Sequence, residues 1–130
     1  MKTNAAISSY AKIGFESEVL GASPHRLVSM LFEGALRDIA KAKKGMASNE
    51  TAAKGVAIGR AISIIGEGLN GSLNMEAGGE LAVNLRRLYD YVALRLVEAN
   101  LKNDAAILDE VASLLTEVKE GWDAIRPTTG

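Results

Sequence analysis

Apolar residues recur every three or four positions along most of this chain, which is the spacing of helices that bury one face. Residues 80–102 show this spacing most clearly, and we predict one long helix there. Its first apolar face consists of Leu81, Leu85, Leu88, Tyr89, Val92, Leu96 and Ala99. Its second apolar face consists of Val83, Leu94, Val97 and Leu101, and Asp90 interrupts it. Because a helix of a small bundle has one core to face, the second face predicts contact with a partner.

Three further helices are predicted by the same spacing. Ser23 and Pro24 start the first, because a serine oxygen can cap free amides and proline at the first helical position loses no hydrogen bond. That helix should end near residue 46, and the next should extend over residues 51–74 with Asn49 or Thr51 as its cap. The last should extend from Asp104, as cap, to about residue 125. Four long helices joined by short turns predict an all-α, antiparallel up-down-up-down four-helix bundle.

The first two of these helices also carry more apolar surface than a single core face needs. Around the core positions of the first helix, the wider apolar arc includes Val28, Phe32, Leu36, Ile39 and Ala40. Those core positions are Leu27, Leu31, Ala35, Ala42 and Met46. On the second helix, a line about a quarter-turn from the core stripe consists of Ala57, Ile64, Gly68, Gly71 and Met75. The last helix has one apolar stripe, so we expect its back to be plain solvent surface.

Five glycines lie inside the second predicted helix: Gly55, Gly59, Gly66, Gly68 and Gly71. Each costs about 1 kcal/mol of helix stability relative to alanine. Close packing against a neighbouring helix, or a break near residues 66–71, would explain them. A partner segment lying close to the backbone would explain them as well, and the explanations are not exclusive.

Composition narrows the classes of function. The chain has 130 residues, with 15 basic and 16 acidic side chains and a net charge of -1, so it lacks the electrostatic footprint of a nucleic-acid or anionic-membrane protein. It has no cysteine, which excludes disulfides, thiolate metal ligands and cysteine nucleophiles. The sequence shows no secretory signal and no apolar run of membrane-spanning length. We therefore expect a cytoplasmic protein that inserts into no membrane and needs no cofactor.

Catalytic and metal-binding patterns are absent from the sequence. A di-iron bundle needs Glu-x-x-His pairs, whereas the single histidine, His25, has Ala22 three positions before it. Gly66, Gly68 and Gly71 have neither the preceding strand nor the following lysine of a phosphate-binding loop. We predict no enzyme, no metal site and no small-molecule substrate. Two alternatives remain open: a phosphorelay bundle using His25, and a structural bundle whose second faces pair with copies of the chain.

Several motifs resemble one protein family when taken in order. They are ASP at 22–24, MLFEGA at 30–35, LNM at 73–75, GGE at 78–80, NL at 84–85, LYDY at 88–91, RL at 95–96, AN at 99–100, ND at 103–104, EV at 110–111, and Trp122. Their succession and spacing over nearly the whole chain resemble the flagellar secretion chaperone FliS family. No single motif is diagnostic, but the succession is highly specific.

This resemblance implies a helical bundle that binds the disordered C-terminal segment of flagellin in the bacterial cytoplasm. Family members prevent premature polymerisation and aid delivery to the flagellar type III export apparatus. The resemblance also implies a mobile N-terminal lid that contacts the export-gate protein, through the positions of Ile7 and Tyr10 here. We accordingly divide the chain into a lid segment at 1–22, a four-helix bundle at 23–126 and a tail at 127–130.

A set of partner-binding residues follows from the apolar second faces together with the resemblance. We expect Asp90 and Arg95 to contact polar groups of the partner at the edge of the second apolar face. Tyr91 is a candidate contact because it is aromatic and lies off the core face. The predicted binding residues are Ile7, Tyr10, Leu31, Ala57, Ile64, Gly68, Met75, Val83, Asp90, Tyr91, Leu94, Val97 and Leu101.

Overall fold

Four helices make up the computed structural model, which describes residues 21–125. Helix α1 is Pro24–Ala47, α2 is Thr51–Ser63, α3 is Met75–Lys102 and α4 is Ala105–Ala124. Helix α2 continues through a π-helical segment, Ile64–Leu69, and a 3₁₀ turn, Asn70–Ser72. No strand occurs in this part of the chain. The predicted all-α four-helix bundle is confirmed.

The helix ends are set largely by the capping residues that the sequence suggested. The Ser23 hydroxyl accepts a hydrogen bond from the Arg26 amide at 3.2 Å, and Pro24 is the first helical residue. Asp104 accepts from the Ala106 amide at 2.9 Å at the start of α4. Helix α2 differs, because its N-cap is Glu50 and no side chain caps it. Asn49, one of the two predicted caps, instead has φ 56° in the preceding turn.

The bundle packs with α1 between α2 and α4, while α3 closes the other side against the same two helices. Helix α1 is buried over much of its circumference, including polar positions such as Ser29 and Asp38. Apart from the exposed Ala40, its wide apolar arc therefore packs against two neighbouring helices. The largest fully buried side chains are Phe32, Met30, Ile58, Ile65, Leu69, Leu96, Leu108, Leu115, Val92 and Val111.

Two details of α3 differ from the prediction. The helical segment begins at Met75, and Gly79 interrupts it with φ 53° and ψ -129°, where a turn followed by a helix at residue 80 was expected. Leu81 was wrongly assigned to the core: it is 62% exposed, and Ala82 is buried instead. Ala124 is the last residue of α4. It follows Glu110 by the same number of residues by which Leu81 precedes Arg95. Because Arg95 bonds Glu110 across the two antiparallel helices, α4 ends at the level of Leu81 and leaves it uncovered.

The glycines of the second helix divide into two groups. A Cβ on Gly68 would lie 3.1 Å from Leu31 Cδ2, so Gly68 allows α1 and the end of α2 to approach closely. A Cβ on Gly55, Gly59, Gly66 or Gly71 would meet nothing packed against it within 4 Å. Close packing therefore accounts for Gly68. The helix does not break at residues 66–71 but passes into π-helical geometry from Ile64 to Leu69.

Candidate protein-binding surface

Helix α3 presents a row of apolar side chains to solvent, which we call the outer row. It consists of Val83, Leu94, Val97 and Leu101, whose exposed fractions are 37%, 71%, 43% and 81%. At about 100° per residue these four positions share one side of the helix. The core side is opposite and buries Tyr89, Val92 and Leu96. Exposing such a row to water is energetically unfavourable, and a row of this kind usually marks a contact surface.

A hydrogen-bonded network borders the outer row on the α4 side. Tyr91 donates its hydroxyl hydrogen to Glu110 at 2.5 Å, and Arg95 donates from Nη2 to the same carboxylate at 2.7 Å. Arg95 also donates to Glu98 at 2.5 Å, and Lys102 donates to Glu98 at 2.7 Å. The network alternates in charge from Lys102 through Glu98 and Arg95 on α3 to Glu110 on α4, to which the neutral Tyr91 hydroxyl also bonds. The network gives the apolar row a fixed polar edge.

The same network shifts the pKa values of its members. The Tyr91 hydroxyl, followed by Arg95, lowers the pKa of the Glu110 carboxyl below its usual value. Hydrogen bonds from Lys102 and then Arg95 lower the pKa of Glu98. The hydrogen bond to Glu110 raises the pKa of Tyr91. Both carboxylates are therefore held ionised at neutral pH, so the polar edge keeps its charge pattern.

Asp90 interrupts the outer row and ties it to the end of α2. Its carboxylate accepts a hydrogen bond from Asn70 Nδ2 at 3.0 Å. The other side-chain atom of Asn70, Oδ1, is buried without a donor in the part of the chain that the structure describes. Asn70 directly follows the π-helical segment. One carboxylate oxygen of Asp90 is therefore bound to Asn70 within the fold, although the residue as a whole is exposed.

The structure separates the predicted binding residues into exposed and buried groups. Val83, Asp90, Tyr91, Leu94, Val97 and Leu101 are exposed on α3, and Met75 is 37% exposed at its first residue. Leu31, Ala57, Ile64 and Gly68 are buried between α1 and the second helix. Leu31 lies against Gly68, as the close approach of these two helices requires. Ile7 and Tyr10 lie outside the described residues.

Three exposed apolar side chains were not in the predicted set. Leu81 lies near the start of α3, Ile125 follows α4 and is 54% exposed, and Val56 on α2 is 58% exposed. Leu81 belongs to the face of α3 that was assigned to the core, and Ile125 lies where the last predicted helix ends. Sequence periodicity could not separate them, because their exposure depends on where the neighbouring helix ends. Val56 lies on the side of α2 opposite the buried Ile58. Its neighbours on that side are small residues, so the sequence showed no apolar stripe there.

His25 has a structural contact that accounts for its position. Its ring stacks on Trp122 with centroids 4.7 Å apart. Its Nε2 lies 2.8 Å from the Trp122 carbonyl oxygen, and Trp122 Nε1 donates to the His25 carbonyl at 2.9 Å. The ring is half-buried and one nitrogen is engaged, whereas a phosphoryl acceptor must present a free nitrogen on an exposed face. The geometry gives the phosphorelay hypothesis no support.

The described residues contain neither a cluster of metal ligands nor a membrane-spanning helix. Residues 21–125 contain no group of three or more His, Cys, Asp or Glu side chains placed to hold a metal ion. Across the same residues, each helix is too short or too polar to cross a membrane.

Comparisons with known proteins agree with the resemblance seen in the sequence. The family model described as flagellar protein FliS matches residues 6–129. The flagellar secretion chaperone FliSB of Pseudomonas aeruginosa is 50% identical over 120 residues, which cover 92% of this chain and 94% of that protein. The flagellar secretion chaperone FliS of Salmonella typhimurium is 45% identical over 127 residues, covering 98% and 94%. That of Bacillus subtilis is 35% identical over 107 residues, covering 82% and 78%.

Proposed function

This chain belongs to the FliS family of flagellar secretion chaperones, and on that premise we propose that it binds the disordered C-terminal segment of flagellin through the outer row of α3. By holding that segment it would prevent premature polymerisation and aid delivery to the flagellar type III export apparatus. The observation that carries the proposal is the exposure of Leu94 and Leu101, at 71% and 81%, on the side of α3 opposite the core. Most of each side chain lies outside the core of the bundle formed by residues 21–125.

The dimensions of the outer row suit a helical ligand. From Val83 to Leu101 the row extends for about 27 Å at 1.5 Å per residue. An amphipathic helix lying along it would place its own apolar side chains against Leu94, Val97 and Leu101, as in other helix-in-groove complexes. The charged edge formed by Arg95, Glu98 and Lys102 would then set the direction and register of the ligand.

One row is too small to account for the whole interaction. Coupled folding of a disordered segment typically buries about 1,000–3,000 Å². The flagellin segment would therefore extend beyond the outer row, and the exposed side chains of Met75, Leu81 and Ile125 are the further apolar anchors available. The buried residues Leu31, Ala57, Ile64 and Gly68 would contribute only if a ligand separated α1 from the second helix. Affinity would come from wrapping around the bundle.

The N-terminal segment, residues 1–22, has a separate part in the proposal. Its apolar side chains, including Ile7 and Tyr10, would cover exposed apolar surface while flagellin is absent, because such surface promotes aggregation. Displaced by flagellin, the segment would become available to contact the export-gate protein. We further propose that the chain works in the cytoplasm by binding alone, without a cofactor or a catalytic step.

The outer-row assignment is tested by charge substitution on α3. Leu94→Asp and Leu101→Asp should each weaken binding of a flagellin C-terminal peptide at least tenfold, measured by fluorescence anisotropy, because they place a charge in an apolar contact. Thr116→Asp, on the exposed back of α4, is the matched control and should change the affinity less than about twofold.

Stability measurements make this test decisive. Because Leu94 and Leu101 are exposed, both variants should keep the free energy of unfolding within about 0.5 kcal/mol of the parent. Unchanged peptide affinity in both variants would contradict the assignment of the outer row. A large loss of stability with retained affinity would do so as well, because the two leucines would then support the fold.

A further inference from the structure

A groove of about 530 Å³ lies between the C-terminal half of α1 and helix α2, away from the outer row. Within residues 21–125, its lining comes from these two helices and the turn between them. The residues are Lys41, Lys44, Gly45, Glu50, Ala52, Ala53, Val56, Ala57 and Arg60. No residue of α3 lines the groove, so a ligand seated there would share no contact residue with the outer row.

The rim of the groove is positively charged. Lys41, Lys44 and Arg60 are exposed along it, and Glu50 is the one carboxylate among the described lining residues. Other lysines of the bundle are neutralised: Lys43 pairs with Asp109 at 2.7 Å and Lys119 with Asp123 at 2.5 Å. Among residues 21–125 the three rim cations form no such ion pair. In a chain with a net charge of -1, this is a local excess of positive charge.

Asp38 is a buried carboxylate of α1 that interacts electrostatically with two of the rim cations, Arg60 and Lys41. It lies on the inner side of α1 and is not part of the groove lining. Burial raises its pKa, and the positive charges of Arg60 and Lys41 act in the opposite direction. The charges of Arg60 and Lys41 therefore partly counteract the effect of burial on the pKa of Asp38. Both side chains remain exposed to solvent and to a ligand.

The floor of the groove is apolar and made of small residues. Ala52, Ala53 and Ala57 lie on the α2 side, together with Val56, which is 58% exposed. Small side chains let the backbone of a ligand come close, and Val56 offers one larger apolar contact. From Ala52 to Arg60 the floor extends for about 12 Å, the length of roughly two helical turns.

We propose that this groove binds a short acidic amphipathic helix of a second protein partner. Its apolar side chains would pack on Val56 and on the exposed Ala52 and Ala53, and its carboxylates would pair with Lys41, Lys44 and Arg60. An apolar floor with a rim of one charge favours this ligand over a free anion, which would use the rim alone. Because the groove and the outer row share no residue, both sites could be occupied at once. The inference does not depend on what occupies the outer row.

The test uses a defined peptide and the full-length chain. The probe is a fluorescent synthetic helix with leucines along one face and glutamates on both sides of them. Its twin has lysine in place of every glutamate. The acidic peptide should bind saturably, perturb the amide NMR signals of Gly45, Ala53 and Val56, and lose most of its affinity when the ionic strength rises from about 0.05 M to about 0.5 M. The lysine twin should not bind.

Charge reversal on α1 and α2 identifies the rim. Lys44→Glu and Arg60→Glu should each weaken binding of the acidic peptide at least threefold, and the double variant at least tenfold. Lys43→Glu makes the same charge change one position away, outside the groove, and should change affinity less than twofold. Binding should persist when a flagellin C-terminal peptide is present in excess. Failure of flagellin to bind at all would leave this result unaffected.

Four results would overturn the inference. Equal losses from Lys43→Glu and Lys44→Glu would show nonspecific attraction. Equal binding of the lysine twin would show that the rim charge is irrelevant, and signals perturbed at Leu94 and Leu101 would place the peptide on the outer row. Binding of phosphatidylglycerol vesicles that depends on Lys44 and Arg60, with no peptide binding, would make the rim a membrane-contact surface.

Discussion

His25 and Trp122 fasten the start of α1 to the end of α4 through a reciprocal contact. Their rings stack 4.7 Å apart at an interplanar angle of 13°. His25 Nε2 bonds the Trp122 backbone carbonyl at 2.8 Å, and Trp122 Nε1 bonds the His25 backbone carbonyl at 2.9 Å. Both carbonyls belong to terminal helical turns. In the adjoining turns, Ser29 donates to the Asp123 carboxylate at 2.5 Å. This end of the bundle, where the N-terminal segment joins it, is therefore held by side chains from both helices.

Removing one donor from this contact should lower stability measurably. Trp122→Phe keeps an aromatic ring but deletes the Nε1 donor, so the free energy of unfolding should fall by about 1 kcal/mol. Urea denaturation measures the loss. In a double-mutant cycle with His25→Ala, the combined loss should be smaller than the sum of the single losses, because either change breaks the same contact. Strict additivity would contradict the reciprocal arrangement.

Gly66 and Gly68 should respond oppositely to alanine. Gly68→Ala places a Cβ at 3.1 and 3.2 Å from the methyl groups of the buried Leu31, so overpacking should cost about 1–3 kcal/mol. Gly66→Ala meets nothing within 4 Å and should raise stability by up to about 1 kcal/mol, through reduced entropy of the unfolded chain. Thermal and urea unfolding of the pair test this. Similar effects at both positions would contradict the close approach of α1 to the π-helical segment.

Alkaline pH should destabilise the bundle through Tyr89. Burial raises the pKa of Tyr89 to about 12, from 10.0, so the folded protein retains this proton where the unfolded chain loses it. The stabilisation is complete below pH 10 and is lost as pH rises towards 12, by roughly 2–3 kcal/mol. Tyr89→Phe should remove this part of the pH dependence, measured by urea unfolding at pH 9 to 12. Identical slopes in the parent and the variant would contradict the buried, neutral hydroxyl.

Deleting residues 1–14 tests whether the N-terminal segment covers apolar surface. The bundle should stay folded, since its core is formed by α1 to α4, while binding of a dye specific for exposed apolar surface should rise several-fold. Deletion of residues 127–130 is the control and should leave dye binding unchanged. An unchanged dye signal after the N-terminal deletion, with helicity retained, would count against a covering role for Ile7 and Tyr10.

The sequence predicted most of the bundle because its local signals agree. Ser23, Pro24 and Asp104 mark helix starts by chemistry that needs no distant partner. The outer row was also predictable: Val83, Leu94, Val97 and Leu101 form a second apolar side on a helix that already has a core face. Exposure of all four in the structure fits that interpretation.

The remaining features depend on neighbours that periodicity does not identify. Ala57, Ile64 and Gly68 formed an apparent second line, yet they are buried because α1 packs over them. Leu81 was expected in the core but is exposed, and Ala82 is buried instead, because α4 ends beside them. Lys54 is buried because its amine bonds the Asn103 side chain at 3.0 Å, in the connection between α3 and α4. Each outcome is set by contacts distant in sequence.

The central claim is tested most directly by calorimetric titration of the full chain with a flagellin C-terminal peptide from the same bacterium, at several temperatures. The account predicts saturable one-to-one binding with a negative heat-capacity change of a few tenths of a kcal/mol per kelvin, because apolar surface on both partners leaves water. Absence of binding by the folded protein, with or without residues 1–14, would contradict it. A heat-capacity change near zero would contradict it too, because the outer row would then have remained in water.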